Sequence, residues 1–299
     1  MLVTMKEILD IASKENYAVA APNVFSELDT RAYIEAAEEL NSPIIINILN
    51  GHNPDLSMMA NIACELARQT FVPVAVNLDH GGPKNEIISA IRAGFTSVMI
   101  DRSALSFEEN AAQTKEIVDI AHAVGVSVEA EFGHVGQADN AEVDTKKSLT
   151  SPQEAKEFVE ATGVDCLAVA IGTAHGSYPR GFTPYLDVER LIEIKKALNG
   201  LPLVLHGSSG ADPEDLRKVC ANGINKVNVA NDLCKAVVKT LKEANLEGGK
   251  AYDVWYVARS AAKEKLKYFM NIYGSTNKAW KKEPLGIISE AKDRDFFEK

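Results

Sequence analysis

Three of the six histidines in this sequence stand at the C-terminal ends of predicted strands, each next to a glycine. They are His80, His175 and His206. Neutral imidazoles are common metal ligands, and three of them around zinc leave the fourth position open to a substrate oxygen. Any one of these histidines alone is better explained as a satisfied core or capping residue. Three in equivalent positions on different elements favour a catalytic metal site.

Asp79 immediately precedes His80 and is the candidate general acid and base. A carboxylate beside a bound substrate can take the proton of a hydroxyl group, and burial would raise the pKa of Asp79 into a useful range. The alternative is that Asp79 caps the helix that begins near Pro83, which is a common role for aspartate. The position in the sequence does not choose between the two.

Two segments of small and polar residues suit a bound phosphate. They are Gly207-Ser208-Ser209-Gly210 and Asn228-Val229-Ala230-Asn231, which lie at the ends of the seventh and eighth predicted strands. Small residues let backbone N–H groups approach a phosphate, serine adds hydroxyl donors, and a helix N-terminus adds partial positive charge. A glycine-rich turn alone is weak support, but this one directly follows a candidate metal ligand. The two segments therefore predict a phosphate site beside the metal.

The elements that must position these residues alternate along the 299-residue chain. Eight short β-branched runs are separated by stretches whose apolar residues recur at three- and four-residue spacing. This alternation favours a closed parallel (β/α)8 TIM barrel over an open α/β sheet, because crossovers are right-handed and eight strands can close. The histidines would then share one mouth. The predicted strands span 17–23, 43–49, 72–79, 97–101, 126–132, 166–172, 201–206 and 225–230.

We interpret residues 1–299 as one barrel domain with additional C-terminal helices. Helical patterning covers 231–245 and 251–272, and Ser151 is predicted to cap a helix that begins at Pro152. The break between the two C-terminal helices is too short to be a domain linker.

Two further segments have no helix or strand pattern. Residues 133–150 form a polar stretch that is longer than an ordinary loop and follows a strand end, which favours a lid; a disordered surface loop is the alternative. The charged tail, 281–299, either packs on the barrel or lies across a neighbouring subunit.

Composition limits the class of protein. The formal net charge of −10 argues against a nucleic-acid partner, because nucleic-acid-binding proteins normally carry a basic face. The sequence contains neither a secretory signal pattern nor an apolar run that could span a membrane. The four cysteines are widely spaced, which favours reduced thiols. We therefore expect a cytoplasmic protein with a small phosphorylated substrate.

Taken together, these motifs resemble the class II, zinc-dependent ketose-bisphosphate aldolases, which include fructose-bisphosphate and tagatose-bisphosphate aldolases. The similarity covers about residues 5–280 and is strongest over 77–81, 126–131, 168–176 and 201–210. Several ordered motifs across a whole barrel are highly specific. The resemblance implies a Zn²⁺-dependent aldol cleavage that releases dihydroxyacetone phosphate and an aldehyde.

The same resemblance implies roles for individual residues. His80, His175 and His206 would bind zinc, and Asp79 would be the catalytic acid and base. Asp101 and Glu131 match positions that can carry a second metal in relatives, either a divalent or a monovalent cation, or they orient the histidines. The candidate substrate-binding residues are Asn23, Gly176, Gly207, Ser208, Ser209, Asn228, Ala230 and Asn231.

The sequence departs from the family pattern around the substrate. Leu49 stands where many relatives have Ser or Thr, and Asn231 replaces a Thr that often binds the phosphate. In the lid, relatives have a glutamate proposed to exchange a proton with the substrate. Asp139 could replace that glutamate with shorter reach, and Glu142 is the second candidate.

Three basic residues each have more than one interpretation or an implied role outside the metal site. Arg102 either binds an anionic distal group of the substrate or forms a surface ion pair. Arg259 resembles a helix arginine that, in relatives, reaches a neighbour's active site and contacts the distal phosphate, which implies a homodimer or homotetramer. Lys226 could in principle form a Schiff base, but we interpret it as an ordinary strand-end lysine beside a metal site.

The leading hypothesis is an aldolase acting on a ketose 1,6-bisphosphate, with fructose 1,6-bisphosphate first and tagatose 1,6-bisphosphate second. One alternative is an aldolase for a ketose 1-phosphate with a non-phosphate distal group, which Leu49 and Arg102 support. Another is a non-catalytic sugar-phosphate-binding barrel. Asp79 argues against that, because a binding protein needs no proton-transfer group.

Overall fold

Eight parallel strands form one sheet that curls into a nearly closed barrel. The computed structural model describes residues 1–52, 55–133, 149–174, 178 and 182–280. The strands pair in the order β1-β8-β7-β6-β5-β4-β3-β2, and a bridge between Asn23 and Asn47 links β1 to β2. The strands are β1 Val19–Pro22, β2 Ile44–Ile48, β3 Val74–Gly81, β4 Ser97–Ile100, β5 Ser127–Phe132, β6 Cys166–Val169, β7 Leu203–Leu205 and β8 Ile224–Val229.

Helices alternate with the strands, so the predicted (β/α)8 barrel with additional C-terminal helices is confirmed. The eight predicted strands are all present, but β3 runs two residues further than predicted and carries His80 itself. The helices are α1 Met5–Glu15, α2 Glu27–Glu39, α3 Leu56–Gln69, α4 Lys84–Ala93, α5 Phe107–His122, α6 Pro152–Thr162, α7 Val188–Ala197, α8 Pro213–Ala221, α9 Asn231–Glu243 and α10 Val254–Tyr273, with a 3₁₀ turn at Gly248–Asp253.

The start of α6 corrects one detail of the sequence analysis. The helix begins at Pro152 as predicted, because proline fits the first helical position where no N–H partner is needed. Ser151 occupies the N-cap position, but its side chain makes no capping hydrogen bond. Proline at the start therefore marks this helix better than the serine does.

The side chains inside the barrel are apolar at one end of its axis and polar at the other. Strand side chains alternate between the two faces of the sheet, so residues two apart in each strand face the interior. At the N-terminal end this layer is apolar and packs against α1, whose buried side chains include Met5 and Ile8. At the opposite end the inward positions are polar. They include Asn47, Asn77, Asp79, Glu129, Glu131, His206, Lys226 and Asn228, of which all but the half-buried Asn228 are buried.

Helix α10 packs across α9 and α2 on the outside of the barrel. Its buried face includes Leu266, Phe269 and Met270. Lys263 and Lys267 on α10 each bond to Glu39 on α2, at 2.8 and 2.7 Å. None of the described helices is both long and apolar enough to cross a membrane. The cytoplasmic location and the single-domain boundaries stay predictions.

Two predicted segments fall wholly or largely outside the described residues. The tail, 281–299, lies outside them, and so do residues 134–148 of the proposed lid. At the start of that lid segment, Gly133 has a φ of 87°. At its end, Thr150 donates its hydroxyl to the Phe132 carbonyl over 2.7 Å. The two ends of the segment are therefore held together at the mouth.

Candidate active site

Asp79 projects from β3 into the polar end of the barrel, where it is only 3% exposed. Asn23 donates an amide N–H to one carboxylate oxygen over 2.7 Å, and Asn228 donates to the other over 2.9 Å. Helix α4 begins after Pro83, which occupies the N-cap position. The alternative in which Asp79 caps that helix is therefore wrong.

The environment of Asp79 lowers its pKa, contrary to the expectation from sequence. Burial alone would raise the pKa, because it disfavours the charged form. The nearby charges of His80, Lys226 and His206, with the hydrogen bond from Asn23, outweigh burial and hold the pKa of Asp79 below its ordinary value. Asp79 is therefore an ionised base in this arrangement.

His80 and His206 point ring nitrogens at each other. His80 Nε2 and His206 Nδ1 are 3.1 Å apart, and the rings meet edge to face with centroids 4.8 Å apart. The other nitrogen of His80, Nδ1, lies 3.0 Å from Asp101 Oδ2, and the other nitrogen of His206, Nε2, lies 2.9 Å from Glu129 Oε1. Each outer nitrogen therefore faces a carboxylate, and each inner nitrogen faces the other histidine.

This geometry suits a shared cation. A carboxylate only accepts hydrogen bonds, so each outer nitrogen carries a proton and each inner nitrogen of a neutral ring presents a lone pair. Two facing lone pairs repel unless a positive charge lies with them. In tetrahedral zinc sites with Zn–N bonds near 2.0–2.1 Å, two ligand nitrogens are roughly 3.3 Å apart. The observed 3.1 Å between His80 and His206 is close to that separation.

The pKa of His80 reflects the same preference for positive charge. Burial alone would lower it, but the carboxylates of Asp79, Asp101 and Glu131 outweigh burial and raise the pKa of His80 to about 9.

The backbone is also unusual at His80, which has a φ of 48°, in the left-handed region. At the next residue, Gly81, a Cβ would lie 2.2 Å from the Met99 carbonyl oxygen. The end of β3 therefore requires glycine to hold His80 in place.

Asp101 and Glu131 both lie beside this pair. Asp101 uses its second oxygen to accept the backbone N–H and the hydroxyl of Ser103, at 3.1 and 2.8 Å. Glu131 is 1% exposed, and its Oε2 is 4.0 Å from His206 Nδ1. Two sets of side chains could hold a metal, each with ligand atoms within 4.8 Å of one another: Asp79, His80 and His206, and His80, Asp101 and Glu131.

Sequence reasoning missed the pair formed by Glu129 and Lys226. Both side chains are fully buried, and the Lys226 ammonium donates to Glu129 Oε2 over 2.7 Å. Lys226 is therefore not the ordinary strand-end lysine that the sequence suggested. A usable signal was present, because Glu129 and Lys226 are charged residues within predicted strands of a barrel, where charged side chains are seldom buried without a partner.

Two further asparagines belong to a chain of side-chain hydrogen bonds that ends at Asp79. Asn77 donates to Asn47 over 3.0 Å, and Asn47 donates to Asn228 over 3.0 Å. Asn228 in turn donates to Asp79. An amide has both a donor and an acceptor, so each asparagine orients the next. Asn47 and Asn77 were not predicted, since neither lies at a strand end.

The two predicted phosphate segments are neighbours at the ends of β7 and β8. Ser208 donates its hydroxyl to the Asn228 carbonyl over 2.8 Å, which ties one segment to the other. Ser208 and Ser209 are buried, and Asn231 is the first residue of α9, with Ala230 at its N-cap. Backbone N–H groups at such a helix start are available to an anion.

Gly207 can only be glycine in this arrangement. Its φ is 66°, and a Cβ would lie 2.4 Å from the Ala174 carbonyl oxygen. Thr173, beside Ala174, donates its hydroxyl to the His206 carbonyl over 2.7 Å. The segment after β6 is thus packed directly against the histidine and the glycine loop.

The two candidate distal arginines are both engaged within the chain. Arg102 donates to the carbonyls of Gly82 and Asp101 and, over 2.6 Å, to Gln113 Oε1. Within the described residues it pairs with no carboxylate, so the surface ion pair is not observed. Arg259 pairs with Glu35 on α2. His175, Gly176, Asp139 and Glu142 lie outside the described residues.

Comparison with known proteins gives a consistent result. The profile of the family described as "Fructose-bisphosphate aldolase class-II" matches residues 3–278. A curated fructose-bisphosphate aldolase from Thermus caldophilus is 41% identical over 306 aligned residues, covering 93% of this chain and 100% of the relative.

Solved structures match over nearly the whole chain. The crystal structure of the YdjI aldolase from Escherichia coli matches with a TM-score of 0.84 and 35% identity, covering 94% of this chain and 100% of that one. A fructose-bisphosphate aldolase from Campylobacter jejuni matches with a TM-score of 0.80 and 24% identity, covering 93% and 97%. At that identity the second match supports the fold alone.

Proposed function

This chain belongs to the class II fructose-bisphosphate aldolase family and is a carbon–carbon lyase, and from that premise we propose that it cleaves fructose 1,6-bisphosphate reversibly. The products would be dihydroxyacetone phosphate and an aldehyde that carries the second phosphate. Tagatose 1,6-bisphosphate is the second candidate substrate. The observation that carries the proposal is the joint position of Asp79, His80 and His206 at the mouth of the barrel.

We propose that His80 and His206 hold a catalytic Zn²⁺ together with His175. The 3.1 Å separation of the facing nitrogens supports this for the first two. When bound, zinc would polarise the ketone oxygen of the substrate and stabilise the negative charge that develops on the ketone half. Asp101 and Glu131 are the proposed ligands of a second cation, and the short contact between Asp101 and His80 also supports an orienting role.

Asp79 would move the proton. As the bond between C3 and C4 breaks, the C4 hydroxyl gives its proton to the Asp79 carboxylate, and the electron pair of the broken bond stays on the ketone half. The amides of Asn23 and Asn228 keep both carboxylate oxygens in fixed positions. That orientation places the base before the substrate arrives, which reduces the reorganisation needed during the reaction. Asp139 is the proposed group for proton exchange on the ketone half.

The C1 phosphate would bind at the ends of β7 and β8. Gly207, Ser209 and the start of α9 supply backbone N–H groups and a hydroxyl, and Gly176 is the proposed partner from the segment after β6. The Ser208 to Asn228 hydrogen bond supports this location, because it fixes the two loops relative to each other and to Asp79.

A second candidate substrate class follows from Arg102. Its Nε, Nη1 and Nη2 atoms each donate to a protein acceptor, so binding a distal phosphate would require it to exchange or share these bonds. Leu49, directly after β2, offers no side-chain donor. Together they favour a ketose 1-phosphate whose distal group is not a phosphate.

We also propose a homodimer or homotetramer. Tyr252, Trp255 and Tyr256, around the start of α10, are 88, 68 and 73% exposed. Large exposed aromatic side chains are typical of protein interfaces. Arg259 lies on the same helix and is the candidate to reach the partner's site. Sedimentation of the purified chain tests this, and an active monomer would contradict it.

The proposed reaction is tested by a retro-aldol assay that traps dihydroxyacetone phosphate. The assay compares fructose 1,6-bisphosphate, tagatose 1,6-bisphosphate and fructose 1-phosphate, with metal analysis of the same preparation. We expect about one zinc per chain, and loss of activity on chelation that added zinc restores. Full activity in a preparation without metal would refute the mechanism.

A further inference from the structure

Lys226 and Glu129 form an ion pair inside the barrel, directly beneath the candidate metal ligands. Both residues are 0% exposed, and the Nζ to Oε2 distance is 2.7 Å. The pair joins β8 to β5, which are not neighbours in the sheet. Burying two charges costs several kcal/mol per ion, which their attraction only partly offsets. Stability alone is therefore a weak explanation for this pair.

The second oxygen of Glu129 faces a metal-ligand candidate. Glu129 Oε1 lies 2.9 Å from His206 Nε2, and both side chains are fully buried. Because Oε2 already accepts from Lys226, the carboxylate is held with Oε1 towards the imidazole. A carboxylate is an acceptor, so His206 Nε2 must be the donor. The Asn228 amide is also near Nε2, but at 3.4 Å, and it makes its shorter bond to Asp79.

A proton on Nε2 determines the state of the other ring nitrogen of His206, Nδ1. A neutral imidazole carries one proton, so a proton on Nε2 leaves the lone pair on Nδ1. Nδ1 is the atom that faces His80 Nε2. If the proton sat on Nδ1 instead, the lone pair would point at Glu129, away from His80.

We propose that Glu129 and Lys226 are positioning residues that keep His206 in the tautomer whose Nδ1 can bind the metal. Glu129 selects the tautomer, and Lys226 orients Glu129 and supplies its countercharge. This inference rests on the proposed metal site at His80 and His206. Neither residue touches the substrate in this scheme, so both act through His206. Partners of this kind typically change metal affinity by about 10- to 100-fold when removed.

Two substitutions separate this role from simple packing. Glu129→Gln keeps the size of the side chain but offers an amide N–H to Nε2, which favours the opposite tautomer. Lys226→Met keeps most of the apolar volume and removes the donor that orients Glu129. The double variant removes both charges and leaves no unpaired buried ion. It can therefore be tested even if a single variant does not fold.

A matched control lies just before β6, outside the candidate site. Asp165 accepts from His122 Nε2 over 2.8 Å, in the same kind of carboxylate–histidine pair, and neither residue belongs to the candidate site. Asp165→Asn therefore alters a partly buried histidine contact without altering the proposed ligands. Its zinc affinity should equal that of the wild type.

The experiment uses the full chain and two measurements. Ring ¹⁵N shifts of His206 in histidine-labelled, metal-free protein report which nitrogen carries the proton. Competition with a chromophoric chelator reports zinc affinity, and thermal melting confirms that each variant is folded. We expect a protonated Nε2 in the wild type. In Glu129→Gln, where Lys226 still holds the amide oxygen, we expect a shift towards a protonated Nδ1, with zinc affinity about 10- to 100-fold weaker. The double variant, whose amide is free to rotate, should lose the single tautomer and also bind zinc more weakly. Lys226→Met should also bind zinc more weakly.

The outcomes distinguish this inference from the proposed function. If the wild type binds no zinc at all, the proposed metal site fails. If the wild type binds zinc tightly while the folded variants keep its tautomer and its affinity, the metal site stands and the positioning role is refuted. Equal weakening in Asp165→Asn would also refute it, because the effect would then be general destabilisation.

Discussion

Asn228 donates its side-chain amide to the Asp79 carboxylate over 2.9 Å. Its backbone carbonyl accepts the Ser208 hydroxyl over 2.8 Å. One residue therefore holds both the proposed proton-transfer group and the proposed phosphate loop. The consequences of losing its side chain should appear in the rate more than in the metal content.

We expect Asn228→Ala to lower kcat/KM by about 10- to 100-fold, because a hydrogen bond to a charged group contributes about 1.5–3 kcal/mol. Zinc content should stay at the wild-type level, since Asn228 is not a proposed ligand. Steady-state kinetics with metal analysis measures both. Asn222→Ala is the control, because that asparagine is exposed at the end of α8, and its activity should be unchanged. Wild-type rates in Asn228→Ala would contradict the role given to this contact.

Asp79→Ala and His206→Ala should both lose activity, but only His206→Ala should also lose zinc. Asp79→Ala removes the proposed base, so most turnover should be lost while zinc stays bound. His206→Ala removes a proposed ligand, so zinc occupancy should fall with the activity. Metal analysis after dialysis, beside the retro-aldol assay, separates the two. If Asp79→Ala turned over at the wild-type rate, the acid and base assignment would be wrong.

The fold could be predicted from sequence because its two periodicities are distinct. Apolar residues at three- and four-residue spacing predicted the helices, and β-branched runs predicted the eight strands. The proximity of Asp79, His80 and His206 could be predicted because parallel strands place their C-terminal ends at one rim. The helix α10 was predicted within three residues at its start and one at its end.

The contacts among the site residues could not be predicted in the same way. Glu129 and Lys226 are 97 residues apart, and only the closed barrel brings them together. The bond from Arg102 to Gln113 depends on where α5 packs beside the end of β4. The predicted direction of the Asp79 pKa shift was also wrong, because the charges of His80, Lys226 and His206 lower the pKa, and only the closed barrel brings these three residues close to Asp79.

The two arginines should differ in their effect on substrates with a distal anion. Substituting Arg259 with Met should lower kcat/KM for fructose 1,6-bisphosphate by about 10- to 100-fold while sparing fructose 1-phosphate. Arg102→Met is the comparison, because its three bonds to Gly82, Asp101 and Gln113 suggest a bracing role. Equal losses on both substrates in each variant would show that neither arginine determines distal specificity.

Lys195 provides a test of stability away from the mouth. Its ammonium donates to Ser13, Leu201 and Asn225 at 2.8, 2.9 and 2.6 Å, and burial lowers the pKa of Lys195 from 10.5 to about 8. Between pH 8 and 10.5 the unfolded chain therefore binds more protons at this residue than the folded protein does. The free energy of unfolding must rise with pH across that window.

Lys195→Met removes the titrating group and isolates this effect. Urea unfolding of both proteins at several pH values gives the difference in free energy of unfolding. We expect the wild type to gain on the order of 2 kcal/mol relative to the variant as the pH rises from 8 to 10.5. A constant difference across that range would show that the pKa of Lys195 is not lowered.

Gly207 and Gly125 offer a comparison in which backbone strain is nearly equal. Their φ values are 66° and 73°, so alanine at either position costs about 1–2 kcal/mol for the left-handed conformation. At Gly125, which is exposed in the turn before β5, a Cβ meets no atom within 4 Å. At Gly207 it would lie 2.4 Å from the Ala174 carbonyl oxygen, so the two backbone segments must separate.

That separation would move the proposed phosphate loop away from the rest of the site. We expect both variants to lose stability, but only Gly207→Ala to bind dihydroxyacetone phosphate more weakly, by about tenfold or more, since a displaced loop loses hydrogen bonds to a charged group. Calorimetric titration with dihydroxyacetone phosphate and thermal melting measure the two effects. Equal affinity in the two variants would contradict the placement of the C1 phosphate at residues 207–210.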